Sequence, residues 1–317
     1  MSLSVLVLGG SGFVGRALCE QLTRQLGASV RITVPTRRLR HAQAVQPLPG
    51  VTVLQADVFN DLPRLLPGHD AVVNLIAILQ GSEAAFERVH VELPRRIAAA
   101  IQATGVQRLV HVSALGVSAQ APSRYLRSKA AGEAVLEAAA KTQGLALTLV
   151  RPSLVFGAGD RSINLFADLQ RLFPLMPLGG ADARLQPVWV QDLSAALVQV
   201  LLRREAVGQV YDVAGPRVLT LAELVRLAGR CVGHPRPVLP LPGPLATLQA
   251  LAMECLPGEP LLSRDNLASL TVPNVASGQH PGLAELGITP ATLEAVLPTY
   301  LAPGMGVARL DAWRARH

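Results

Sequence analysis

Short apolar runs, each ended by glycine, proline or polar turn residues, alternate with amphipathic stretches along the first half of the chain. Ser4–Leu8 (SVLVL), Val30–Val34, Val51–Gln55, Ala71–Leu75, Arg108–Val112 and Leu145–Arg151 (LALTLVR) predict six strands. Several of these runs are apolar on consecutive positions, as strands buried on both faces are. Between them Arg16–Leu26, Ala84–Thr104 and a stretch opened by Ser123 and running through Glu133 and Leu136 read as helices. Strands and helices in alternation predict an α/β chain built on a doubly wound parallel sheet with helices on both faces. Beyond residue 151 the pattern loosens. Strands are predicted at Pro187–Val190 and Val210–Val213, and a helix from Asp192, as N-cap, through Leu202. Gly233–Pro244 holds five prolines and reads as a connector or irregular loop.

A length of 317 residues allows one large domain or two smaller ones. The expected layout is a nucleotide-binding domain over residues 1–160, to which 187–215 return, and a smaller, partly interleaved region over 161–317. An apolar half with 16% charged residues excludes disorder over most of the chain. The net charge of +7 points to an anionic ligand or surface, while eleven aromatics are few for base stacking, so no nucleic-acid partner is expected. Cys19, Cys231 and Cys255 lie far apart without C-x-x-C or Cys/His spacing. They are expected as buried reduced thiols, with neither a disulfide framework nor a metal site. The first residues run into a strand with no basic leader, and the uncharged run Pro237–Met253 is broken by prolines. A spanning helix needs about 20 apolar residues, so a cytoplasmic chain without a transmembrane segment is expected. Leu245–Leu256 (LATLQALAMECL) carries too little charge for an ordinary surface helix; it reads either as core or as a docking face for a membrane or partner. Arg309, Arg314 and Arg316 make a basic tail.

The chemistry begins at Gly9-Gly10-Ser11-Gly12-Phe13-Val14-Gly15, directly between the first strand and the first helix. Glycine there permits a tight turn, close approach of backbone to a pyrophosphate and tight helix–strand packing. The helix N-terminus then offers free N–H groups and the positive end of its dipole. An NAD site carries a carboxylate about 20 residues later for the ribose 2′-hydroxyl. Here the 36 residues from Gln21 to Ala56 contain no Asp or Glu but do contain Arg24, Arg31, Arg37, Arg38 and Arg40. Arginine forks a 2′-phosphate that a carboxylate would repel, so NADP(H) is expected over NAD(H), with Arg37 and Arg38 as the contacts. The alternative is a solvated basic turn. Asp57, closing the third strand, is placed for the adenine edge.

Tyr125 and Lys129 stand four apart in Ser123-Arg124-Tyr125-Leu126-Arg127-Ser128-Lys129, on one face of a helix after the fifth strand. A phenol of pKa about 10 needs lowering to work as a general acid/base near neutrality, and a lysine cation acts in that direction. Lysine can also hold the nicotinamide ribose. Ser113, at the end of the fifth strand, is a third candidate. The loop after the fourth strand, at Ala77, and Arg151, closing the sixth, complete the candidate cofactor wall. Asn164, Arg184 and Gln186 are polar candidates for the substrate side, with simple surface placement as the alternative.

With RLVHVSALG at 108–116, SRYLRSKAAGE, RPSLVFGAGD, LQPVWVQD at 185–192 and SRDNLASL at 263–270, the chain resembles an atypical extended short-chain dehydrogenase/reductase. It is most similar to the family of the nucleotide-binding alpha-subcomplex 9 subunit of respiratory complex I and its bacterial relatives. The resemblance covers nearly the whole chain and implies a Rossmann-like sheet, a bound NADP(H) and a C-terminal region shaped like the sugar-nucleotide pocket of epimerases. It also implies an incomplete tetrad, with Leu115 where the extended enzymes carry their Ser or Thr and His90 where they carry asparagine. Two functions stay open: an NADP(H)-dependent oxidoreductase or epimerase-like enzyme with Tyr125 as acid/base, or a non-catalytic nucleotide-binding factor of a respiratory or quinone-linked membrane assembly. The second implies a peripheral position at the inner face of a membrane. The substrate is not named by either.

Overall fold

The computed structural model describes residues 2–106, 108–255 and 260–302, and divides into two units. The first unit takes Met1–Pro152, Gln191–Val213 and Ser277–Ile288; the second takes Ser153–Val190, Ala214–Ala276 and the residues from Thr289.

Strand and helix alternate through the first unit: β1 (Leu3–Leu8), α1 (Phe13–Leu26), β2 (Val30–Thr36), β3 (Val51–Gln55), α2 (Val58–Leu65), β4 (Ala71–Asn74), α3 (Glu83–Glu87), α4 (Leu93–Thr104), β5 (Arg108–Val112), α5 (Arg124–Gln143) and β6 (Ala146–Pro152). Helix Val190–Leu202 and strand Val210–Val213 return to it. The seven strands form one parallel sheet in the order Val210–Val213, β6, β5, β4, β1, β2, β3. Strand order reverses between β1 and β4, so the carboxyl ends of those two strands form the switch point at which such sheets bind ligands. Val5–Leu8, Val72 and Val73, and Leu109 and Val110 are sealed from solvent, which is why these strands read as unbroken apolar runs. Leu6, Leu8, Leu93, Ile97, Leu136 and Leu147 are among the side chains that join the sheet to α4 and α5 in one core.

The helix predicted as continuous over Ala84–Thr104 is interrupted. A π-helical turn at Arg88–Glu92 separates α3 from α4. Pro94 has no N–H to return to the carbonyl of His90 four residues earlier, so the turn widens there. The freed carbonyl lies against α5, where a Cβ on Gly132 would collide with it. A glycine in mid-helix thus buys the close approach of α5 to the π turn.

In the second unit Phe156, Ile163, Leu178, Leu224, Val225 and Leu297 belong to a separate core. The proline-rich connector contains a strand, Val238–Leu241, paired in parallel with Met176–Gly179. Among the described residues no third strand joins the pair, so Pro240 leaves no ladder partner wanting its missing N–H. Helix Gly243–Glu254 buries Ala246 and Ala250 and leaves Leu245, Leu248 and Leu251 exposed, the core reading of this stretch being corrected. The two alanines, four apart, set the helix close on Gly179, where an added Cβ would stand 2.9 Å from that of Ala246. Leu256 and the tail arginines 309, 314 and 316 lie outside the described residues. No helix among the described residues is long and apolar enough to cross a membrane. Cys19 is buried and Cys231 half-buried, but Cys255 is exposed, contrary to the expectation of three buried thiols.

Candidate functional site

The candidate residues of the first unit converge on the carboxyl ends of the sheet. β1 delivers the glycine turn directly into α1, whose N-cap is Gly12. No side chain caps that terminus and no acid sits in its first turn, so the first N–H groups and the dipole face outward unopposed. The glycines differ in what they need. Gly9 has φ +85, a left-handed conformation, and lies against Leu75 and Ile76 of the loop after β4. A Cβ on Gly15 would run into the backbone of Gly9 and Gly10, and one on Gly10 would sit 2.8 Å from Val34. Gly12 is in ordinary extended conformation, and a Cβ there would touch only the Gly9 carbonyl, at 3.2 Å. Packing therefore explains Gly9, Gly10 and Gly15, while Gly12 borders open space of the kind a phosphate cradle requires. Ser11 and Phe13 are half-open beside it; Ser11 accepts Arg16 Nε on its carbonyl at 3.0 Å.

After β2, Arg37 and Arg38 are exposed and neither guanidinium has a partner among the described residues; the Arg38 backbone is tied to Thr36 Oγ1 and to His41 N. Asp57 is the N-cap of α2, its carboxylate accepting Phe59 N at 3.2 Å and Asn60 Nδ2 at 3.0 Å. Each oxygen keeps a further lone pair. Ala77 is exposed in the loop after β4.

Ser123 caps α5 by accepting Leu126 N, which fixes the helical phase that puts Tyr125 and Lys129 on one face. Tyr125 packs edge-on against His90 and Phe86, at ring separations of 5.6 and 6.3 Å. Burial pushes its phenol up to about 12, opposite to the lowering that acid/base work requires. Lys129 is 2% exposed and donates Nζ to Val112 O at 2.8 Å, at the carboxyl end of β5. Burial brings its ammonium down to about 8, with Glu133 opposing. The next residue, Ser113, is buried with its Oγ unpartnered among the described residues. An orphaned buried hydroxyl costs about 1–3 kcal/mol, a cost a site accepts for a group it keeps for a ligand. Leu115 is buried, its N–H bonded to Pro152 O, and offers no polar atom of its own side chain.

The unfolded lysine keeps its proton to about pH 10.4, whereas the folded one loses it near 8. Across that window the unfolded chain binds more protons, so unfolding free energy rises with pH. Measured against Lys129→Met by denaturant titration, the wild-type stability should gain roughly 2–4 kcal/mol on the variant between pH 7.5 and 10.5. A pH-independent difference would show that Lys129 is not desolvated.

Arg151 is not free for a nicotinamide wall. Its Nε and Nη2 fork onto Glu133 at 2.9 and 2.5 Å, and Nη1 reaches His280 at 3.3 Å, joining β6 to α5. In the second unit Asn164 Nδ2 is held by Gly157 O and Asp160 Oδ2, and Gln186 clamps Gly215 O and Ala276 N. Arg184 is exposed. Sequence reading missed the roles of His90, Ser128 and Glu133. The signals were present: Pro94 four residues after His90, and Glu133 four after Lys129 on the same helical face.

Comparison with known proteins agrees with this architecture. The NAD dependent epimerase/dehydratase family matches residues 5–214. The mouse (Mus musculus) protein named NADH dehydrogenase (ubiquinone) 1 alpha subcomplex subunit 9, mitochondrial, is 31% identical over 299 residues, covering 91% of this chain and 77% of that one. A protein of Caulobacter vibrioides named ceramide reductase is 29% identical over 249 residues, 76% of this chain and 74% of its own. Among solved structures, the epimerase Mth375 of Methanothermobacter thermautotrophicus superposes with a TM-score of 0.77 at 17% identity, covering 99% of this chain and 94% of that one. A glycine turn at a parallel switch point, a tyrosine–lysine helix behind β5 and a match over some two thirds of the sequence lead to one family: the chain belongs to the NAD dependent epimerase/dehydratase family, as an atypical short-chain dehydrogenase/reductase.

Proposed function

We propose that the chain binds NADP(H) and acts as an oxidoreductase or nucleoside-diphosphate-sugar epimerase-like enzyme, with Tyr125 as general acid/base. The observation that carries the reading is the pairing of Tyr125 and Lys129 on one face of α5, with Lys129 bound at the end of β5 beside the unpartnered Ser113 hydroxyl. Gly9–Gly15 and the N-terminus of α1 would hold the pyrophosphate, Arg37 and Arg38 a 2′-phosphate, Asp57 the adenine edge, the Ala77 loop the nicotinamide side and Lys129 the ribose hydroxyls. A bound nicotinamide supplies hydride transfer. The reductase name of the Caulobacter relative supports turnover.

The test is affinity. NADPH should bind at least about tenfold more tightly than NADH, since a charged hydrogen bond contributes about 1.5–3 kcal/mol. Replacing Arg37 and Arg38 with alanine should remove most of that preference in a fluorescence titration. Equal affinities in the unmodified protein would sink the NADP(H) assignment.

A second reading is favoured by Leu115, which presents no polar group, together with the complex I name of the mouse relative. In it the nucleotide is held structurally and the chain serves a complex I-type or quinone-linked membrane assembly from a peripheral position.

A further inference from the structure

Among the buried titratable groups, His90 has a protonation state fixed by its neighbours. Nε2 faces the backbone N–H of Ile78 at 3.1 Å and must accept from it. The neutral ring therefore carries its proton on Nδ1, which donates to Ser128 Oγ at 2.8 Å. Ser128 in turn donates to the carbonyl of Tyr125, also at 2.8 Å. A single directional chain thus runs from the loop after β4, through His90, to the first turn of the tyrosine helix. Burial and the nearby Lys129 hold the imidazole down near 3, so it stays neutral in this tautomer at any physiological pH.

The loop that His90 grips is the wall beside the glycine turn. Leu75 N donates to Leu8 O at 2.9 Å and Ile76 N to Asn74 Oδ1 at 3.2 Å, so the sheet fixes its start. The turn runs close beside it: a Cβ on Gly9 would stand 3.3 Å from Leu75 and Ile76. Ile78 N, two residues further, is tied to His90, with exposed Ala77 between the two anchors.

We propose that His90 is a positioning residue whose Nε2, by accepting from Ile78 N, holds the Leu75–Ile78 loop in place and thereby sets nucleotide affinity. The proposal rests on the reading of the glycine turn and this loop as the nucleotide site. The ring touches no reacting atom; its bond to Ile78 N sets the loop, while its bond to Ser128 Oγ fixes the tautomer that leaves Nε2 an acceptor.

Amides of different length separate the two bonds. His90→Gln reaches the position of Nε2 and can still accept from Ile78; His90→Asn reaches only the position of Nδ1 and keeps Ser128 alone; His90→Phe keeps the ring and neither bond. In NADPH titrations of the folded proteins, checked by circular dichroism, Asn and Phe should weaken binding by about five- to a hundredfold and Gln by less than about threefold. Should the Phe variant fail to fold, the Asn and Gln pair decides. Retained affinity in the Asn variant, or equal loss in Asn and Gln, overturns the role of His90 while the nucleotide reading stands. Absence of NADPH binding in the unmodified protein overturns the nucleotide reading, and this proposal with it.

Discussion

Gly12→Val is expected to abolish NADPH binding while leaving the fold intact. The backbone at Gly12 has φ −79 and ψ 179, which valine adopts readily, and an added Cβ would meet only the Gly9 carbonyl at 3.2 Å. That oxygen needs to yield by a few tenths of an ångström, so unfolding of the apo protein should change by no more than about 1 kcal/mol. The isopropyl group would stand in front of the first N–H groups of α1, where a pyrophosphate would be received. Affinity should fall at least about a hundredfold, and the stabilisation of about 2.7 kcal/mol that ligand at a hundred times its dissociation constant confers should disappear. Gly15→Val would be the wrong experiment, because its side chain would strike the backbone of Gly9 and Gly10 and confuse folding with binding. Normal NADPH affinity in a folded Gly12→Val protein would make the glycine turn purely structural.

The legible part of the molecule is the part where periodicity and local chemistry agree. All six strands read from apolar runs are present, within a residue or two at their ends; β1 and β4 are buried along nearly their whole length, whereas the edge strand β3 is nowhere fully buried and reads only from its β-branched Val51, Thr52 and Val53. Helix α1 starts at Phe13 rather than Arg16, since glycines hide the apolar stripe of its first turn. The strand at Val238–Leu241 was masked by its prolines, and the return of Ser277–Ile288 to the first unit has no pattern at all. It is held by polar bonds, from Ser277 to Asp212 and from Arg203 to the carbonyls of Glu285 and Leu286. The same limit applies to the site. The spacing of Tyr125 and Lys129 is local and was readable, whereas the fork of Arg151 on Glu133 and the tautomer of His90 depend on partners 18 and 12 or more residues away. Asp57 shows the reverse: its place after β3 reads as a ligand contact, and packing adds a second role, the N-cap of α2.

Tyr125→Phe divides the enzyme from the scaffold. The substitution removes one oxygen and keeps the ring that packs edge-on against Phe86 and His90, so neither fold nor nucleotide affinity should change by more than about twofold. If the chain turns over, the rate should fall by roughly 10²–10⁴, the weight of general acid/base catalysis. The direction of chemistry follows from the resting state. With its phenol near 12, Tyr125 is fully protonated at neutral pH and is poised first to donate: in reduction of a carbonyl its Oη–H bond would break as the new O–H bond forms on substrate. The phenolate left behind would need a cation to offset the burial that raised the phenol, and the Lys129 ammonium, one helical turn further along α5, is the group that would supply it. Above about pH 8, where Lys129 sheds its proton, that support is withdrawn, so the reductive rate should decline through this pH even though the phenol still holds its own proton. In a structural nucleotide carrier none of this matters, and Tyr125→Phe should leave assembly of the membrane complex at wild-type level while Gly12→Val disrupts it. Full activity of the Phe variant on an identified substrate would end the catalytic reading of Tyr125.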